Sequence, residues 1–176
     1  MTVIGFVGLG IMGLPMAANL AAAGFDVAGY NRSKTRADLL AERGGRAAGS
    51  VAEAVRDADV VVTMLPDSPD VRDVLLGADG VFAHARPGTL VVDASTIRPD
   101  VSRALAAAGE ERGFRVLDAP VSGGEQGAVE GTLSIMVGGA AEDVEAARPV
   151  LDVVGRTVVH VGPAGAGQTV KAANQL

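Results

Sequence analysis

The chain contains no cysteine and no tryptophan, and aromatic residues make up only 3% of the sequence. Without thiols it can form no disulfide, no thiolate metal site and no cysteine nucleophile. Few aromatic rings are available to stack on single-stranded bases, and a net charge of −6 opposes binding to a phosphate backbone. We therefore expect no nucleic-acid partner.

Long apolar runs and a cationic leader are absent as well. No segment approaches the ~18 consecutive apolar residues of a membrane span, and residues 1–6 lack the basic start of a signal peptide. We expect no membrane association and a cytoplasmic location. His84, His160 and the acidic pairs show no metal-ligand spacing, so we also expect no metal site.

Short β-branched runs alternate with longer segments rich in alanine and leucine. The predicted strands are residues 3–7, 27–30, 59–65, 90–93, 115–119, 132–137 and 157–161. The predicted helices are residues 11–23, 35–43, 50–57, 71–76, 99–112 and 141–154, and a last helix begins after the loop 162–165. Strand–helix units joined by short turns favour a parallel sheet covered by helices on both faces. The sequence therefore predicts an α/β fold with a Rossmann-like, doubly wound, mostly parallel sheet.

A glycine motif of the form G-x-G-x-x-G lies between the first predicted strand and the first predicted helix. In this context Gly8 permits the tight turn, Gly10 lets the backbone approach a pyrophosphate, and Gly13 lets the helix pack on the strand. The helix N-terminus offers free N–H groups to an anion. A purely structural glycine turn is the alternative. The candidate cofactor-binding residues of this loop are Gly8, Leu9, Gly10, Ile11, Met12 and Gly13.

The end of the second predicted strand bears on the choice between NAD and NADP. NAD-binding proteins usually place an acidic residue there to hold the ribose 2′-hydroxyl. This chain has Asn31, Arg32 and Ser33 instead, and Asp26 lies at the opposite end of the strand. Arg32 can pair with a 2′-phosphate, although a solvated helix start with Ser33 as its N-cap is the alternative. The sequence therefore favours NADP, with NAD possible.

Several motifs, in order along the chain, resemble those of the β-hydroxyacid dehydrogenase family. After the glycine motif come M-A-A-N-L at 16–20, M-L-P at 64–66 and D-A-S-T-I-R-P at 93–99. These are followed by D-A-P-V-S-G-G at 118–124, then G-A at 127–128 and G-T-L at 131–133. The segment 165–174 resembles the family's G-x-G-x-x-x-K-x-x-N motif. The resemblance covers essentially the whole chain.

This resemblance implies roles for particular residues. Lys171 and Asn174 are implied to be catalytic, and their spacing of three places them on one helix face. A lysine can deliver a proton to a carbonyl oxygen, most readily when desolvation lowers its pKa. Ser122, Gly123, Gly124 and Thr96 are implied to bind substrate, and Met64, Leu65, Pro66, Ser95 and Thr96 to contact the cofactor. The alternatives are a helix-capping hydroxyl at Thr96, a plain glycine turn at 122–124 and a solvated lysine.

The resemblance also implies an activity. We expect an NADP(H)-preferring oxidoreductase that reduces a small aldehyde-acid of the tartronate semialdehyde, glyoxylate or succinic semialdehyde type. Ala173 stands where 6-phosphogluconate dehydrogenases have histidine, which argues against that substrate. An NAD-dependent 3-hydroxyisobutyrate dehydrogenase is one alternative, and a catalytically weak dinucleotide-binding fragment is another.

The same resemblance predicts the domain organisation. Residues 1–164 are expected to form the dinucleotide-binding domain, and residues 165–176 to begin the helix that leads into a second, all-helical domain. That second domain, which this chain lacks, is expected to close the active site and to form a homo-oligomer.

Overall fold

The predicted alternation of strands and helices is present throughout the computed structural model, which describes all 176 residues. The strands are β1 (Val3–Val7), β2 (Asp26–Tyr30), β3 (Arg46–Ala47), β4 (Val60–Thr63), β5 (Leu90–Asp93), β6 (Arg115–Asp118), β7 (Val121–Ser122), β8 (Leu133–Gly138) and β9 (Gly155–Gly162). The helices are α1 (Gly13–Ala22), α2 (Lys34–Glu42), α3 (Val51–Val55), α4 (Ser68–Leu76), α5 (Val81–His84), α6 (Pro99–Glu111), α7 (Gly124–Glu130), α8 (Ala141–Val154) and α9 (Ala166–Asn174).

The first six strands form the parallel part of one sheet, in the order β3-β2-β1-β4-β5-β6. β1 pairs in parallel with β2 on one side and with β4 on the other. The chain therefore moves outward in one direction from β1 and in the opposite direction from β4. The point between β1 and β4 is where open α/β sheets bind ligands, beyond the carboxyl ends of the strands. The predicted doubly wound, mostly parallel sheet is confirmed.

The sheet becomes mixed at its last edge, which the sequence did not predict. Asp118 of β6 pairs with Gly138 of β8, and Val121 of β7 pairs with Ile135 of β8, both antiparallel and in one register. β6 and β7 are thus two pieces of one strand line, interrupted at Pro120, which has no N–H to donate to the ladder. β9 pairs in parallel with β8.

Four short elements were not predicted: β3, β7, α5 and α7. Helix α7 lies in the segment that the sequence indicated as a substrate loop, because Gly124 and Gly127 lower its helix propensity. The side chain of Asn19 on α1 donates to the carbonyl of Ala128 at 2.9 Å, which ties α7 to the body of the domain. His84 is the last residue of α5.

Successive residues of the central strands face two different cores. Ile4 and Phe6 of β1 belong to a cluster of 27 buried residues beneath α1 and α8, whereas Val7 belongs to a cluster of 16 beneath α3 to α6. The same alternation holds in β4, where Val62 and Val61 enter opposite clusters. Both faces of the sheet are therefore covered, which explains the uninterrupted apolar runs of these strands.

The helices are short relative to a lipid bilayer. The longest, α8, has 14 residues, and a span needs about 20. None of the helices combines the length and the apolar character required to cross a membrane.

Candidate functional site

The glycine loop joins β1 to α1 at the carboxyl edge of the sheet. Gly8 has a φ of +100°, and a side chain there would overlap the carbonyl oxygen of Met64. At Gly13 a Cβ would overlap the carbonyl oxygen of Gly8, so only glycine lets α1 approach the loop this closely. At Gly10 a Cβ would meet no atom within 4 Å. Gly8 and Gly13 therefore serve the fold, whereas Gly10 leaves open space beside the backbone.

Two polar side chains hold this loop: Asn31, which the sequence indicated, and Arg36, which it did not. Arg36 on α2 donates from Nε to the carbonyl of Leu9 at 2.7 Å and from Nη2 to the carbonyl of Gly10 at 3.0 Å. Asn31 accepts the N–H of Leu9 at 2.9 Å. Because a trans peptide directs its N–H opposite to its carbonyl, the N–H groups of Gly10 and Ile11 point away from Arg36.

These N–H groups form a fitting cradle for an anion. Gly10, Ile11 and Met12 donate no backbone or side-chain hydrogen bond within the protein. They precede α1, whose N-terminus carries the positive end of the helix dipole. The loop thus presents unpaired donors and positive potential at one place, which suits the pyrophosphate of a dinucleotide.

A cavity of about 660 Å³ opens beside the glycine loop. Its far wall is formed by residues of α4 and of the segment 77–80. The predicted cofactor residues that line it are Gly8, Gly10, Ile11, Met12, Gly13, Asn31, Arg32, Met64, Leu65 and Pro66. Leu9, in contrast, is fully buried in the core, and Ser33 precedes α2 as its N-cap residue without a side-chain capping bond.

Arg32 reaches across this cavity to α4. Its guanidinium lies 3.5 Å from the carboxylate of Asp70, and its side chain is 86% exposed whereas that of Asp70 is 29% exposed. Asp26 lies at the amino end of β2 and pairs with Arg46 at 2.7 Å. It therefore lies at the end of β2 opposite to Arg32, as the sequence predicted.

Ser95 and Asp93 form a buried polar group after β5. The Ser95 hydroxyl accepts the N–H of Leu65 at 2.8 Å, so this side chain holds the turn 64–66 instead of lining the cavity. Asp93 accepts from the Thr63 hydroxyl at 2.8 Å and from the N–H of Ser95 at 3.1 Å. All of these hydrogen bonds reach one carboxylate oxygen, and Oδ2 of Asp93 has no partner. Thr96, the next residue after Ser95, is exposed.

Asp93 makes the stability of the fold depend on pH. Burial raises its pKa from 3.8 to about 6, against the opposing effect of the hydrogen bonds from Ser95 and Thr63. Between pH 3.8 and 6 the Asp93 carboxyl holds its proton in the folded protein but loses it in the unfolded chain. The stabilisation of the folded state by this protonated carboxyl is therefore complete below pH 3.8 and is lost as the pH rises through 6. The loss is about 3 kcal/mol. The free energy of unfolding, measured by chemical denaturation from pH 4 to 7, should decrease with pH by this amount in the wild type and not in Asp93→Asn. Equal pH dependence in the two proteins would contradict the prediction.

Helix α9 is attached to the carboxyl edge by two buried side chains that the sequence did not single out. Asp118, at the end of β6, accepts the N–H of Gly165 at 2.8 Å and that of Gln168 at 3.0 Å, and so caps the helix from another element. Gln168 donates to the carbonyl of Ser95 at 2.7 Å and accepts the N–H of Ile97 at 3.1 Å. The two neighbours of Thr96, Ser95 and Ile97, are therefore both hydrogen-bonded to Gln168 of α9.

Lys171 lies on α9 with only 7% of its surface exposed. Its Nζ donates to the Ser122 hydroxyl at 2.6 Å and to the carbonyl of Val121 at 3.0 Å. No acidic side chain forms an ion pair with it, and burial lowers its pKa from 10.5. An ammonium group has three N–H bonds, so one donor is left for a further acceptor. Lys171 is thus a buried hydrogen-bond donor and not a solvated lysine.

The remaining predicted residues lie around Lys171. Gly123 and Gly124 are exposed, with φ of +138° and +63° that favour glycine, and they lead into the first turn of α7. Asn174 is exposed, and its amide contacts the sulfur of Met136 at 3.6 Å without a hydrogen bond to Lys171. The structure therefore places Lys171 beside Ser122, with the two glycines next in the chain and Asn174 turned toward β8.

The observed geometry agrees with comparisons to known proteins. Residues 3–162 match the family model described as the NAD binding domain of 6-phosphogluconate dehydrogenase. This chain belongs to that family. Its predicted resemblance to β-hydroxyacid dehydrogenases is confirmed as well, because its relatives include proteins of that kind.

Three similar proteins illustrate the relationship. The NAD-dependent L-serine dehydrogenase of Pseudomonas aeruginosa is 50% identical over 171 residues, which is 97% of this chain and 57% of that protein. The Mycobacterium tuberculosis 3-hydroxyisobutyrate dehydrogenase solved with L-serine has a TM-score of 0.94 and 46% identity, covering 99% of this chain and 59% of that one. Psf3 in complex with NADP+ and 2-OPP has a TM-score of 0.92 and 36% identity, covering 97% and 61%. The chain thus spans somewhat less than two thirds of the length of these relatives.

Proposed function

We propose that the protein is a nicotinamide-dinucleotide-dependent oxidoreductase that interconverts a small aldehyde-acid and the corresponding hydroxy acid. The observation that carries this proposal is the buried Lys171. Its Nζ donates to the Ser122 hydroxyl at 2.6 Å and retains one N–H bond without an acceptor. It lies on the same sheet edge as the open glycine loop, so proton transfer and cofactor binding belong to one site.

Each residue of this site has a separate task. Gly10, Ile11 and Met12 would bind the pyrophosphate through backbone N–H groups, and Met64, Leu65 and Pro66 would line the path toward the nicotinamide. A bound nicotinamide dinucleotide supplies or accepts the hydride. Lys171 would give its proton to the carbonyl oxygen of the substrate during reduction and take it back during oxidation.

The substrate carboxylate would bind beside Lys171, at the start of α7. Ser122, Gly123 and Gly124 offer a hydroxyl and accessible backbone N–H groups for it. Thr96 is exposed between the two contacts of Gln168 and would face both substrate and nicotinamide. Asn174 would complete the site only if its amide turned away from Met136, which its exposed position allows.

The preferred cofactor is proposed to be NADP(H), with NAD(H) also accepted. Arg32 supports this preference, because its guanidinium is exposed at the cavity where the ribose of the adenosine half would lie. Names of relatives cover both cofactors: one is an NAD-dependent L-serine dehydrogenase, and Psf3 is in complex with NADP+.

Replacement of Arg32 by alanine should weaken NADPH selectively. A charge-assisted contact to a phosphate is worth about 1.5–3 kcal/mol, so the ratio of NADPH to NADH affinity should fall by roughly one to two decades. Fluorescence titration with each reduced cofactor measures this ratio. Equal losses for both cofactors would remove Arg32 from the recognition of the 2′-phosphate.

The substrate is proposed to be an aldehyde-acid of the tartronate semialdehyde, glyoxylate or succinic semialdehyde type. The names of relatives favour a second candidate, oxidation of 3-hydroxyisobutyrate or L-serine with NAD. The purified protein should be assayed for NADPH and NADH oxidation with the three aldehyde-acids, and for NAD(P)+ reduction with the two hydroxy acids. Binding of the cofactors without turnover of any substrate would instead indicate a dinucleotide-binding module.

The proposed boundary between the binding domain and a linking helix lies at residues 164 and 165. Gly165 has a φ of +88° and marks the start of α9, whose N-terminus Asp118 caps. A second, helical domain that follows this helix, and a homo-oligomer formed through it, are the arrangement we propose for the complete enzyme, together with a cytoplasmic location.

A further inference from the structure

The ribose end of the cavity contains an acidic residue that the sequence could not place there. The second strand ends in Asn31 and Arg32, with no carboxylate for a ribose 2′-hydroxyl. In the folded chain Asp70 approaches from α4, on the opposite wall, and its carboxylate lies 3.5 Å from the guanidinium of Arg32. Both residues line the same cavity.

This carboxylate lies at a helix start that favours its charge. Asp70 is in the first turn of α4, where the positive end of the helix dipole favours a negative charge. Its side chain is 29% exposed, whereas that of Arg32 is 86% exposed. Arg32 is therefore the partner with more room to turn toward a ligand.

The two cofactors meet this pair differently. A ribose 2′-hydroxyl can donate to Asp70 while the ion pair with Arg32 stays in place. A 2′-phosphate must draw Arg32 away from Asp70, and it then carries its own negative charge close to that carboxylate. NADH, which has the 2′-hydroxyl, would gain a hydrogen bond to Asp70. NADPH, which has the 2′-phosphate, would lose part of the attraction to Arg32.

We propose that Asp70 is a specificity-determining residue that competes with the 2′-phosphate for Arg32 and so limits the preference for NADPH over NADH. The inference rests on the proposed use of a nicotinamide dinucleotide. Arg32 favours NADPH, Asp70 favours NADH, and their contact sets the balance between the two.

The test is the affinity of Asp70→Asn for NADPH and for NADH, measured by fluorescence titration at low salt. The amide keeps the shape of the side chain and removes its charge. The ratio of NADPH to NADH affinity should rise about three- to fivefold, which corresponds to the upper part of the range measured for exposed ion pairs. The increase should shrink at high salt, where exposed charges are screened.

Two comparisons make the result specific. Asp73→Asn removes a charge from the same wall of the cavity, but Asp73 makes no ion pair with Arg32, so the ratio should change less than about twofold. In an Arg32→Ala background, Asp70→Asn should raise the ratio by clearly less than it does in the wild type, because only the direct effect of the Asp70 charge on the 2′ group remains there.

An unchanged ratio in Asp70→Asn, or a full effect that persists without Arg32, would overturn the competition while leaving cofactor binding itself intact. Failure of the wild type to bind either NADPH or NADH would overturn the proposed function and this inference together.

Discussion

Replacement of Lys171 by methionine should lower the turnover number for carbonyl reduction by roughly 10²- to 10⁴-fold, the usual contribution of general acid–base catalysis. Methionine fills similar space, so the buried site should remain packed. Affinity for NADPH should stay within about twofold, because Lys171 lies outside the cavity beside the glycine loop. Steady-state kinetics and a cofactor titration on the same preparation measure both quantities.

The pH dependence of the wild type separates proton transfer from a merely structural role of Lys171. Burial lowers the pKa of its ammonium group below 10.5. Reduction needs the protonated lysine, so its rate should fall as the pH rises through this lowered pKa, and oxidation should show the opposite limb. Lys171→Met should lack both limbs. Unchanged turnover with both limbs intact in that variant would assign the proton transfer to another group.

Replacement of Gly13 by alanine should lower the free energy of unfolding by about 3 kcal/mol or more. The new methyl group would overlap the carbonyl oxygen of Gly8, a backbone atom that cannot move without shifting the loop. The gain in helix propensity from glycine to alanine, about 1 kcal/mol or less, is too small to offset this overlap. Denaturant unfolding followed by circular dichroism measures the difference.

Gly10→Ala is the matched control for this prediction. Because a Cβ at Gly10 meets no atom within 4 Å, stability should change by less than about 1 kcal/mol. The methyl group would instead occupy the space through which a pyrophosphate approaches the backbone, so affinity for both dinucleotides should fall at least about tenfold. Equal losses of stability in Gly13→Ala and Gly10→Ala would mean that there is no open space beside the backbone at Gly10.

Local patterns were sufficient to predict the parallel sheet and the glycine loop. Both depend on residues close together in the chain: a β-branched run, glycines at fixed spacing, and a helix that follows at once. The conformational demands at Gly8 and Gly13 follow from this spacing, because each glycine contacts backbone within or beside the loop. The line of β6 and β7 depends instead on pairing with β8, which the alternation of elements does not specify.

The side chains that position the site depended on long-range contacts and could not be predicted. Arg36 lies in the first turn of α2, and nothing in its neighbours indicates that it binds the carbonyls of Leu9 and Gly10. Gln168 stands between motif residues, but its partners lie at the end of β5. Asp70 directly precedes the helix predicted at residues 71–76, and only the packing of α4 brings it to Arg32.

The hydrogen bonds of Ser95 have a consequence for the mobility of the molecule. Its hydroxyl holds Leu65 in the cavity wall, and its carbonyl holds Gln168 on the helix that carries Lys171. The turn 64–66 and α9 are therefore hydrogen-bonded to one residue with 0% exposure. We expect a ligand that immobilises that turn to slow the fraying of α9, so that amide hydrogens of the lysine-bearing helix exchange more slowly with solvent in its presence.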